Sequence, residues 1–447
     1  MTKGLQRAQR RRQKVQVRER PLSLHLELEA LGNPPFGSPG WYRMKEISDA
    51  LLLAEETETY EVVLSKYFNH NSLYDYQRNI IDAVMDGRNA LAVIPTGGGK
   101  SILYQLPAML LPGKTLVVSP LIALMQDQVQ TLQQNGIAAA CLHSSLGKSE
   151  RERVLRQIDS LKLLYSSPET LLGKNAPDLS DVSLIAVDEA HCISMWGHDF
   201  RPKYCQLLEL KSRYPGAHVI ALTASATREV RDDIICQLQL QDPYTYIGSF
   251  DRPNLQFQVI RKTQSNLKNL FRNLAGSTVV YVATRQEAEE VSHRLKNIFG
   301  KTSVPYYSTM KKADKLENQQ KFMNTEVQIL VATNAFGMGI NKPDIRQVIH
   351  YTIPASIEAY HQETGRAGRD GLPAQCTLCY DPGDIERVQF IATNYITNEE
   401  RMRVILKHIA YMKHYAEDTD DLRQFILDYF DGSLAKGSSA TELMRRP

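Results

Sequence analysis

The chain contains 447 residues, of which 43% are hydrophobic and 23% charged, so it is long and apolar enough for two or three domains with buried cores. A formal net charge of +3 does not require a polyanionic partner, and no run of about 18 apolar residues predicts a membrane span. The polar, basic start predicts no secretory signal, and six scattered cysteines indicate a reducing compartment.

Residues 1–40 are predicted to form a disordered basic arm and a linker. Met1 to Arg20 contains eight Lys or Arg residues and one Glu. Such a segment can contact nucleic acid, carry a nuclear address or be a solvated tail without a specific role, and these interpretations stay open. The linker ends in a Gly/Pro-rich segment around Pro34 and Gly40, and a helical pattern is predicted from Trp41 to Ser65.

Alternating strands and helices are predicted next. Apolar runs predict strands at residues 90–94, 115–119, 163–166, 184–187 and 219–222, with helices between them, including one at 100–109 and one through Leu132. This alternation indicates a parallel sheet with both faces covered. Residues 242–254 contain Pro243, Gly248 and Pro253 and are predicted to be an irregular domain boundary, which gives a first domain at 41–247.

A second series of strands is predicted at residues 278–282, 303–307, 328–331, 347–351 and 375–380, and it defines a second domain at 248–384. Beyond Asp384 the pattern is helical and charged to about Phe430, and a Gly/Ser-rich tail follows, so 385–447 is predicted to be a helical extension with a flexible tail. The predicted fold class is therefore α/β, with two tandem parallel-sheet domains and a short C-terminal helical extension.

The segment Pro95 to Ser101 (PTGGGKS) follows a predicted strand and opens a helix. Its glycines allow backbone N–H groups to turn towards phosphate oxygens, the Lys100 ammonium can reach the β- and γ-phosphates, and the Ser101 hydroxyl can bind Mg²⁺. The strict phosphate-loop pattern has glycine where this chain has Ile94. The segment is predicted to bind ATP and Mg²⁺ through Thr96, Gly97, Gly98, Gly99, Lys100 and Ser101.

Two adjacent carboxylates, Asp188 and Glu189, follow the buried strand predicted at 184–187. Charges at such a position are costly without a cation or a reaction. Together with the phosphate loop upstream, they predict that Asp188 binds Mg²⁺ and that Glu189 orients the attacking water in phosphoryl transfer.

The stretch from His361 to Arg369 places Arg366 and Arg369 three residues apart, which on a helix would put them on one face. Arginine suits bidentate phosphate contacts and can act across a cleft as an arginine finger. A basic surface helix is the alternative interpretation. Gln362 is predicted to be catalytic together with the two arginines.

The loop after the acidic pair contains Trp196, His198, Phe200 and Arg201. Aromatic rings stack on any base and arginine contacts phosphate, so these side chains suit single-stranded nucleic acid without sequence choice. Ordinary core packing is the alternative interpretation for Trp196 and Phe200. Because the loop directly follows Glu189, DNA bound to it could bias the position of that carboxylate.

Over residues 60–430 the chain resembles the superfamily 2 helicases and, within them, the RecQ family. The resemblance is most specific in the loop from Cys192 to Arg201, with MWGHDFRP. Four further segments carry it, namely SPLIALMQDQV (Ser119 to Val129), LTASAT (Leu222 to Thr227), FGMGINKPDIR (Phe336 to Arg346) and QETGRAGRDG (Gln362 to Gly371). The resemblance implies two RecA-like domains and an ATP-dependent DNA helicase that moves 3′ to 5′ on tailed or forked DNA in repair, recombination or replication.

The resemblance also implies roles for individual residues. Gln77 would read the adenine edge, and His70 and Tyr74 stand where the family usually has an aromatic residue and an arginine beside the base. His191 would link the nucleotide site to the DNA-sensing loop, Thr333 would belong to the DNA-contacting set, and Arg366 and Arg369 would complete the site from the second domain.

Near its C-terminal end the sequence departs from the family pattern. Residues 409–432 resemble the start of the family's four-cysteine zinc module, but no cysteine follows Cys379, and Ala416 and Asp421 stand where cysteines might be expected. No zinc is therefore predicted, and the C-x-x-C pair Cys376 and Cys379 is predicted to be core. An RNA helicase, and an ATPase that clamps or remodels DNA with weak unwinding, stay as alternatives.

Single-stranded and duplex DNA are the predicted partners, with no membrane, and a monomeric core is expected. The predicted location is the nucleus in a eukaryote and otherwise the cytoplasm or nucleoid.

Overall fold

A computed structural model describes residues 30–32, 34, 38–45, 47, 59–334, 336, 342–394 and 396–434. The chain divides into two compact units, residues 1–73 and residues 74–447. The basic arm predicted in the first 20 residues, the tail beyond residue 434 and part of the FGMGINKPDIR segment lie outside the described residues. In the part of the chain that is described, no helix has the length and apolar character needed to cross a membrane.

The described part of the first unit is mainly helical. Residues 39–45 and 47 are helical, and helix α1 (Tyr60–Val63) continues into a wider turn at Leu64–Phe68. The Thr59 side chain caps α1 by accepting a hydrogen bond from the backbone N–H of Val62. Asn69, with a φ of 53°, ends the helical run in the left-handed conformation.

The second unit contains two parallel sheets. The strands of the first sheet are β1 (Ala90–Val93), β2 (Lys114–Val118), β3 (Ala139–Leu142), β4 (Leu163–Ser166), β5 (Val182–Val187), β6 (His218–Thr223) and β7 (Tyr244–Ile247). Those of the second are β8 (Leu255–Arg261), β9 (Ser277–Tyr281), β10 (Ser303–Tyr306), β11 (Ile329–Ala332), β12 (Ile345–His350) and β13 (Ala374–Tyr380). The strand orders are β3-β4-β2-β5-β6-β1-β7 and β10-β11-β9-β12-β13-β8, which confirms the predicted α/β fold class.

Helices connect these strands. Those of the first sheet are α2 (Asp75–Met85), α3 (Ile102–Leu110), α4 (Ile122–Gln134), α5 (Lys148–Arg156), α6 (Pro168–Leu171), α7 (Leu208–Arg213) and α8 (Arg228–Gln237). Those of the second sheet are α9 (Gln264–Arg272), α10 (Arg285–Phe299), α11 (Lys312–Met323) and α12 (Ile357–Thr364). The C-terminal helices are α13 (Gly383–Thr393), α14 (Glu399–Glu417) and α15 (Leu422–Asp431).

The central strands are the ones that sequence predicts well. All four residues of β1 and the last four of β5 are buried, because helices cover both faces of a parallel sheet. Three strands, β3, β7 and β8, were not predicted. The prediction of an irregular stretch at 242–254 is wrong for β7, which is an edge strand bonded to β1. Its residues alternate between half-buried and exposed, so it lacks the continuous apolar run of a central strand.

The C-terminal helices share a core with the first sheet. One continuous apolar cluster contains Leu91 and Ile185 from that sheet together with Met412 and Phe430 from α14 and α15. The Phe430 ring also stacks on Phe250, in the connection between the two sheets, with 4.3 Å between ring centroids. The predicted helical extension is therefore an integral layer of this unit.

Candidate nucleotide site and the adjoining loop

The sheet topology brings the phosphate loop and the acidic pair to one edge. Strands β5, β6 and β1 are neighbours and run parallel, so their C-terminal ends lie side by side. The phosphate loop follows β1, Asp188 and Glu189 follow β5, and Thr223 ends β6 between them. In an open parallel sheet this edge is where ligands bind.

The phosphate loop has the close backbone approach that its glycines predict. A Cβ atom on Gly98 would lie 2.4 Å from the Ile94 Cγ2 atom, and Gly99 has a φ of +72°. The Lys100 Nζ donates a hydrogen bond to the Ile94 carbonyl at 3.1 Å. Burial lowers the pKa of Lys100, while the charges of Glu189 and Asp188 oppose this effect, so the lysine lies within electrostatic reach of the acidic pair.

Helix α2 holds the loop in place. The Tyr76 hydroxyl donates to the Gly98 carbonyl at 2.7 Å, and the Gln77 amide nitrogen lies 3.4 Å from the same oxygen. The Gln77 amide oxygen accepts from the backbone N–H of Tyr74 at 3.0 Å. The rings of Tyr74, Tyr76 and Tyr246 form a continuous stack, with centroid distances of 5.6 and 5.1 Å.

The predicted adenine contacts are placed differently from one another. Gln77 is buried against the phosphate loop, whereas Tyr74 is 68% exposed at the outer end of the aromatic stack. His70 belongs to the first unit, so its role beside the base stays a prediction. Tyr76 and Tyr246 were not predicted, and the irregular reading of 242–254 concealed the strand that carries Tyr246.

The acidic pair has two distinct environments. Burial, and next the charge of Glu189, raise the pKa of Asp188 to about 7. Burial also acts to raise the pKa of Glu189, but contact with His191 lowers it on balance. The His191 Nδ1 atom lies 3.3 Å from a Glu189 carboxylate oxygen and 2.9 Å from the Thr223 hydroxyl. A cation beside Asp188 would offset the cost of its ionisation, so this carboxyl fits a magnesium ligand.

The loop continues the contacts of the acidic pair. The His198 ring stacks on His191 with 4.5 Å between centroids, and burial together with His191 lowers the pKa of His198 to about 4. Trp196 is 38% exposed and Phe200 is half-buried. Trp196 is thus accessible to a base, as the stacking hypothesis requires.

Arg201 binds partners within the loop and beside it. Its guanidinium bonds to the Asp199 carboxylate at 3.1 Å and to the Pro120 carbonyl at 3.1 Å. Asp199 also accepts from the Cys192 thiol, 3.7 Å away. In this structure the arginine braces the loop while its side chain stays 32% exposed, and its predicted contact with DNA stays a prediction.

The two predicted arginines lie in a turn rather than on a helix. Helix α12 ends at Thr364, and Gly368, with a φ of 53°, is in the left-handed conformation, so the expectation of a shared helical face is wrong. Arg366 is buried, and its Nε and Nη1 atoms have no hydrogen-bond partner among the described residues. Burial, and next Arg366, lower the pKa of Arg369 to about 10, which leaves it charged at neutral pH.

Sequence reasoning missed two residues that hold this turn. Arg252 donates to the carbonyls of Gly365, Ala367 and Gly368 at 3.3, 3.0 and 2.9 Å. Asn254 donates to the carbonyls of Gly368 and Leu372 at 2.8 and 3.0 Å. The signal was present in the polar segment FDRPN (Phe250–Asn254), which was treated only as a boundary.

A cleft of about 340 Å³ joins the two sets of residues. Its lining includes the phosphate loop on one side and Arg252, Asn254 and Arg369 on the other. The charge of Arg369 also lowers the pKa of Lys100, so the two groups sense each other electrostatically. A cleft lined by a glycine-rich phosphate loop on one side and by guanidinium groups on the other fits a nucleoside triphosphate.

The remaining predicted residues have less informative positions. Gln362 is half-buried on α12, two residues before the end of that helix. Thr333 is buried directly after β11, and its backbone N–H donates to the Tyr306 carbonyl at 3.1 Å. Cys376 and Cys379 are buried on β13, as predicted for core residues. The absence of zinc stays a prediction.

Two families match the chain. Residues 74–233 match the family described as DEAD/DEAH box helicase, and residues 262–371 match the helicase conserved C-terminal domain. Among solved structures, the chain is similar in fold to the helicase MrfA bound to DNA, with a TM-score of 0.60, 18% identity, and coverage of 79% of this chain and 54% of that one. It is also similar to Dbp5 of S. cerevisiae, bound to RNA, with a TM-score of 0.59, 17% identity, and coverage of 78% and 96%.

Curated relatives are more similar in sequence. The ATP-dependent DNA helicase RecQ of Haemophilus influenzae is 42% identical over 394 residues, which cover 86% of this chain and 63% of that protein. The RecQ protein of Pasteurella multocida is 42% identical, with coverage of 82% and 59%. The probable ATP-dependent DNA helicase RecS of Bacillus subtilis is 39% identical, with coverage of 86% and 80%. The chain thus spans less than two thirds of the length of the first two relatives.

Proposed function

Because the chain belongs to the RecQ family of superfamily 2 helicases, we propose that it is an ATP-dependent DNA helicase. One observation carries the proposal. The phosphate loop and the arginine turn line one cleft, the acidic pair acts electrostatically on Lys100 of that loop, and the acidic pair is continuous with a loop that exposes Trp196. This combination joins a site for nucleotide hydrolysis to a surface for stacking on bases.

The residues of the cleft have distinct chemical roles in this proposal. Mg²⁺, when bound through Ser101 and Asp188, neutralises charge on the phosphates. Lys100 contacts the phosphates, and Glu189 orients the attacking water for in-line displacement. Arg366 and Arg369 stabilise the charge that develops on the transferred phosphoryl group, a role in which one arginine contributes about 10³- to 10⁵-fold to the rate.

His191 connects the two halves of the proposed mechanism. Its Nδ1 atom contacts the Glu189 carboxylate and the Thr223 hydroxyl, and its ring stacks on His198 of the loop. A change in the loop on binding DNA would therefore reach the carboxylate that orients water. This contact supports hydrolysis that is stimulated by DNA.

Movement from 3′ to 5′ on tailed or forked DNA, in repair, recombination or replication, completes the proposal. The polarity and the cellular processes follow from the resemblance to the family, and DNA as the substrate is supported by relatives that are named DNA helicases. In a eukaryotic cell the proposed location is the nucleus.

Two measurements test the function. ATP hydrolysis is measured with and without single-stranded DNA, and unwinding is compared on duplexes with 3′ and 5′ tails. We expect strong stimulation by DNA and unwinding of the 3′-tailed duplex only. No stimulation would contradict the proposal, and stimulation without unwinding would favour a translocase or clamp. Equal stimulation by RNA would favour an RNA helicase.

A further inference from the structure

Four successive backbone carbonyls of the loop, those of residues 195–198, accept hydrogen bonds from helix α14. Arg401 donates to the carbonyls of Met195, Gly197 and His198, the last two at 2.7 and 3.3 Å. The His408 Nε2 atom lies 3.0 Å from the remaining carbonyl, that of Trp196. Because a carbonyl only accepts, this nitrogen must carry the proton. The loop is thus held from outside its own domain.

Arg401 has little else to bind. It is only 9% exposed, and among the described residues no carboxylate lies within ion-pair distance of its guanidinium. The guanidinium carbon also lies 5.7 Å from the centroid of the Phe200 ring. A buried guanidinium is costly unless its donors are satisfied, so this arginine favours the loop arrangement that offers these carbonyls.

His408 extends the contact to the second sheet. Its Nδ1 atom lies 3.3 Å from a carboxylate oxygen of Glu358, and the other oxygen of Glu358 accepts from the Tyr429 hydroxyl at 2.8 Å. Glu358 is 2% exposed and sits on α12, the helix that ends at Thr364 just before the arginine turn. A chain of polar contacts therefore runs from the Trp196 carbonyl through His408 to the helix that leads into Arg366.

The polar contacts of Arg401 and His408 are not needed to hold helices α14 and α15 against the core, which indicates that they position the loop instead. Helices α14 and α15 already bury an apolar face against the core, which would hold them without buried charges. Apolar residues of similar volume stabilise such an interface at least as well as buried ions do. Directional bonds to four consecutive carbonyls do what apolar packing cannot, since they specify the position of one loop.

We propose that Arg401 and His408 are positioning residues that join the Trp196 loop to helix α12, so that closure of the nucleotide cleft and the placement of Trp196 depend on each other. This inference rests on the proposed DNA-stimulated hydrolysis. It assigns the C-terminal helices a role in coupling that differs from duplex separation. The arginine turn and the loop then respond to the same displacement of α12.

The first test measures the environment of Trp196 by fluorescence and does not depend on catalysis. The chain has two tryptophans, Trp41 and Trp196, so a Trp41→Phe background leaves Trp196 as the only reporter. In that background, Arg401→Ala should shift the Trp196 emission to longer wavelength and increase its quenching by acrylamide, because the loop loses three hydrogen bonds. Arg401→Lys should restore part of the wild-type spectrum, since one ammonium can satisfy some of the carbonyls.

Arg403→Ala is the matched control. Arg403 lies on the same helix, its side chain is 78% exposed, and its guanidinium lies 3.9 Å from the Glu399 carboxylate. This substitution should leave the Trp196 emission unchanged. A folded Arg401→Ala protein with the wild-type emission and quenching would overturn the inference. If Arg401→Ala does not fold, His408→Ala provides the same comparison, because alanine removes the donor to the Trp196 carbonyl and should likewise shift the Trp196 emission to longer wavelength.

The second test measures coupling. Arg401→Ala should lower the ratio of DNA-stimulated to basal hydrolysis by about tenfold, within the range of ordinary coupling between sites. If Arg401 acts through Trp196, the double variant Arg401→Ala/Trp196→Ala should be no worse than Trp196→Ala alone. Losses that multiply would overturn the inference while leaving the proposed function intact. A wild-type enzyme without DNA stimulation would instead overturn the proposed function and this inference with it.

Discussion

Replacing Arg252 with alanine should slow hydrolysis without touching a phosphate-loop residue. The Arg252 guanidinium binds three carbonyls of the turn that carries Arg366 and Arg369. Hydrogen bonds from a charged donor contribute about 1.5 to 3 kcal/mol each, but these three share one group, so we expect a total near 3 kcal/mol. Without them the turn relaxes, and a displacement of about 1 Å at a catalytic group costs about 100-fold in rate.

The assay is steady-state ATP hydrolysis at saturating single-stranded DNA. We expect kcat to fall about 100-fold, less than the 10³-fold or greater loss expected for removal of a transition-state arginine. KM for ATP should change little, because the arginines act mainly on charge that develops in the transition state. Lysine at this position should restore only part of kcat, since a point charge cannot span carbonyls of residues 365, 367 and 368.

Arg272→Ala is the control for this prediction, because Arg272 is an exposed arginine at the end of α9. It should match the wild type in kcat and in KM. If Arg252→Ala also hydrolyses ATP at the wild-type rate, the turn does not need these bonds and the reasoning is refuted. A large rise in KM with kcat unchanged would refute it equally, because Arg252 would then serve ground-state binding.

Three further predictions concern single groups. Lys100→Ala should abolish hydrolysis while single-stranded DNA binding, measured by fluorescence anisotropy, persists; retained hydrolysis would remove the phosphate-loop assignment. Gly99→Ala adds a Cβ atom 2.5 Å from the Gln77 amide nitrogen at a φ of +72°, so KM for ATP should rise about tenfold, whereas Gly136→Ala, with a φ of +78° and no atom within 4 Å, should not change it. Burial acts to raise the pKa of Glu358, but His408 lowers it to about 2, so stability present above about pH 4.3 is lost as the pH falls towards 2. Glu358→Gln should therefore reduce the fall in unfolding temperature between about pH 4.3 and 2. If the fall is the same as in the wild type, another group is responsible for it.

The sequence predicted the features that depend on local pattern. The buried strands before Pro95 and before Asp188 are continuous apolar runs, and the order of strands in a parallel sheet then places the groups that follow them at one edge. The glycines of the phosphate loop also predicted its tight backbone, because a close approach such as that between Gly98 and Ile94 leaves no room for a larger residue.

The features that sequence reasoning missed depend on contacts between distant residues. Nothing near Arg201 in the chain indicates that its guanidinium binds the Pro120 carbonyl. Arg252 likewise binds a turn more than 100 residues away. Strand β7 was missed because it is an edge strand that pairs only with β1. Its residues are not all buried, so it needs no continuous apolar run. The two arginines were placed on a helix because Gly365 and Gly368 were read as spacers, whereas helix α12 ends before them.

The loop that contains Trp196 is held at two places by groups that belong to different parts of the nucleotide cleft. On one side His198 stacks on His191, which contacts Glu189, and on the other side His408 links the Trp196 carbonyl to Glu358 on α12. A ligand that favours one arrangement of the loop must then favour the matching arrangement of both the acidic pair and the arginine turn. Linkage makes this reciprocal, so in the proposed mechanism a cleft closed on nucleotide would change the affinity of the loop for DNA by the same factor. Alternation between tight and weak DNA binding during each hydrolysis cycle is the physical requirement for movement along a strand, and these two sets of contacts would provide it without a contact between nucleotide and DNA.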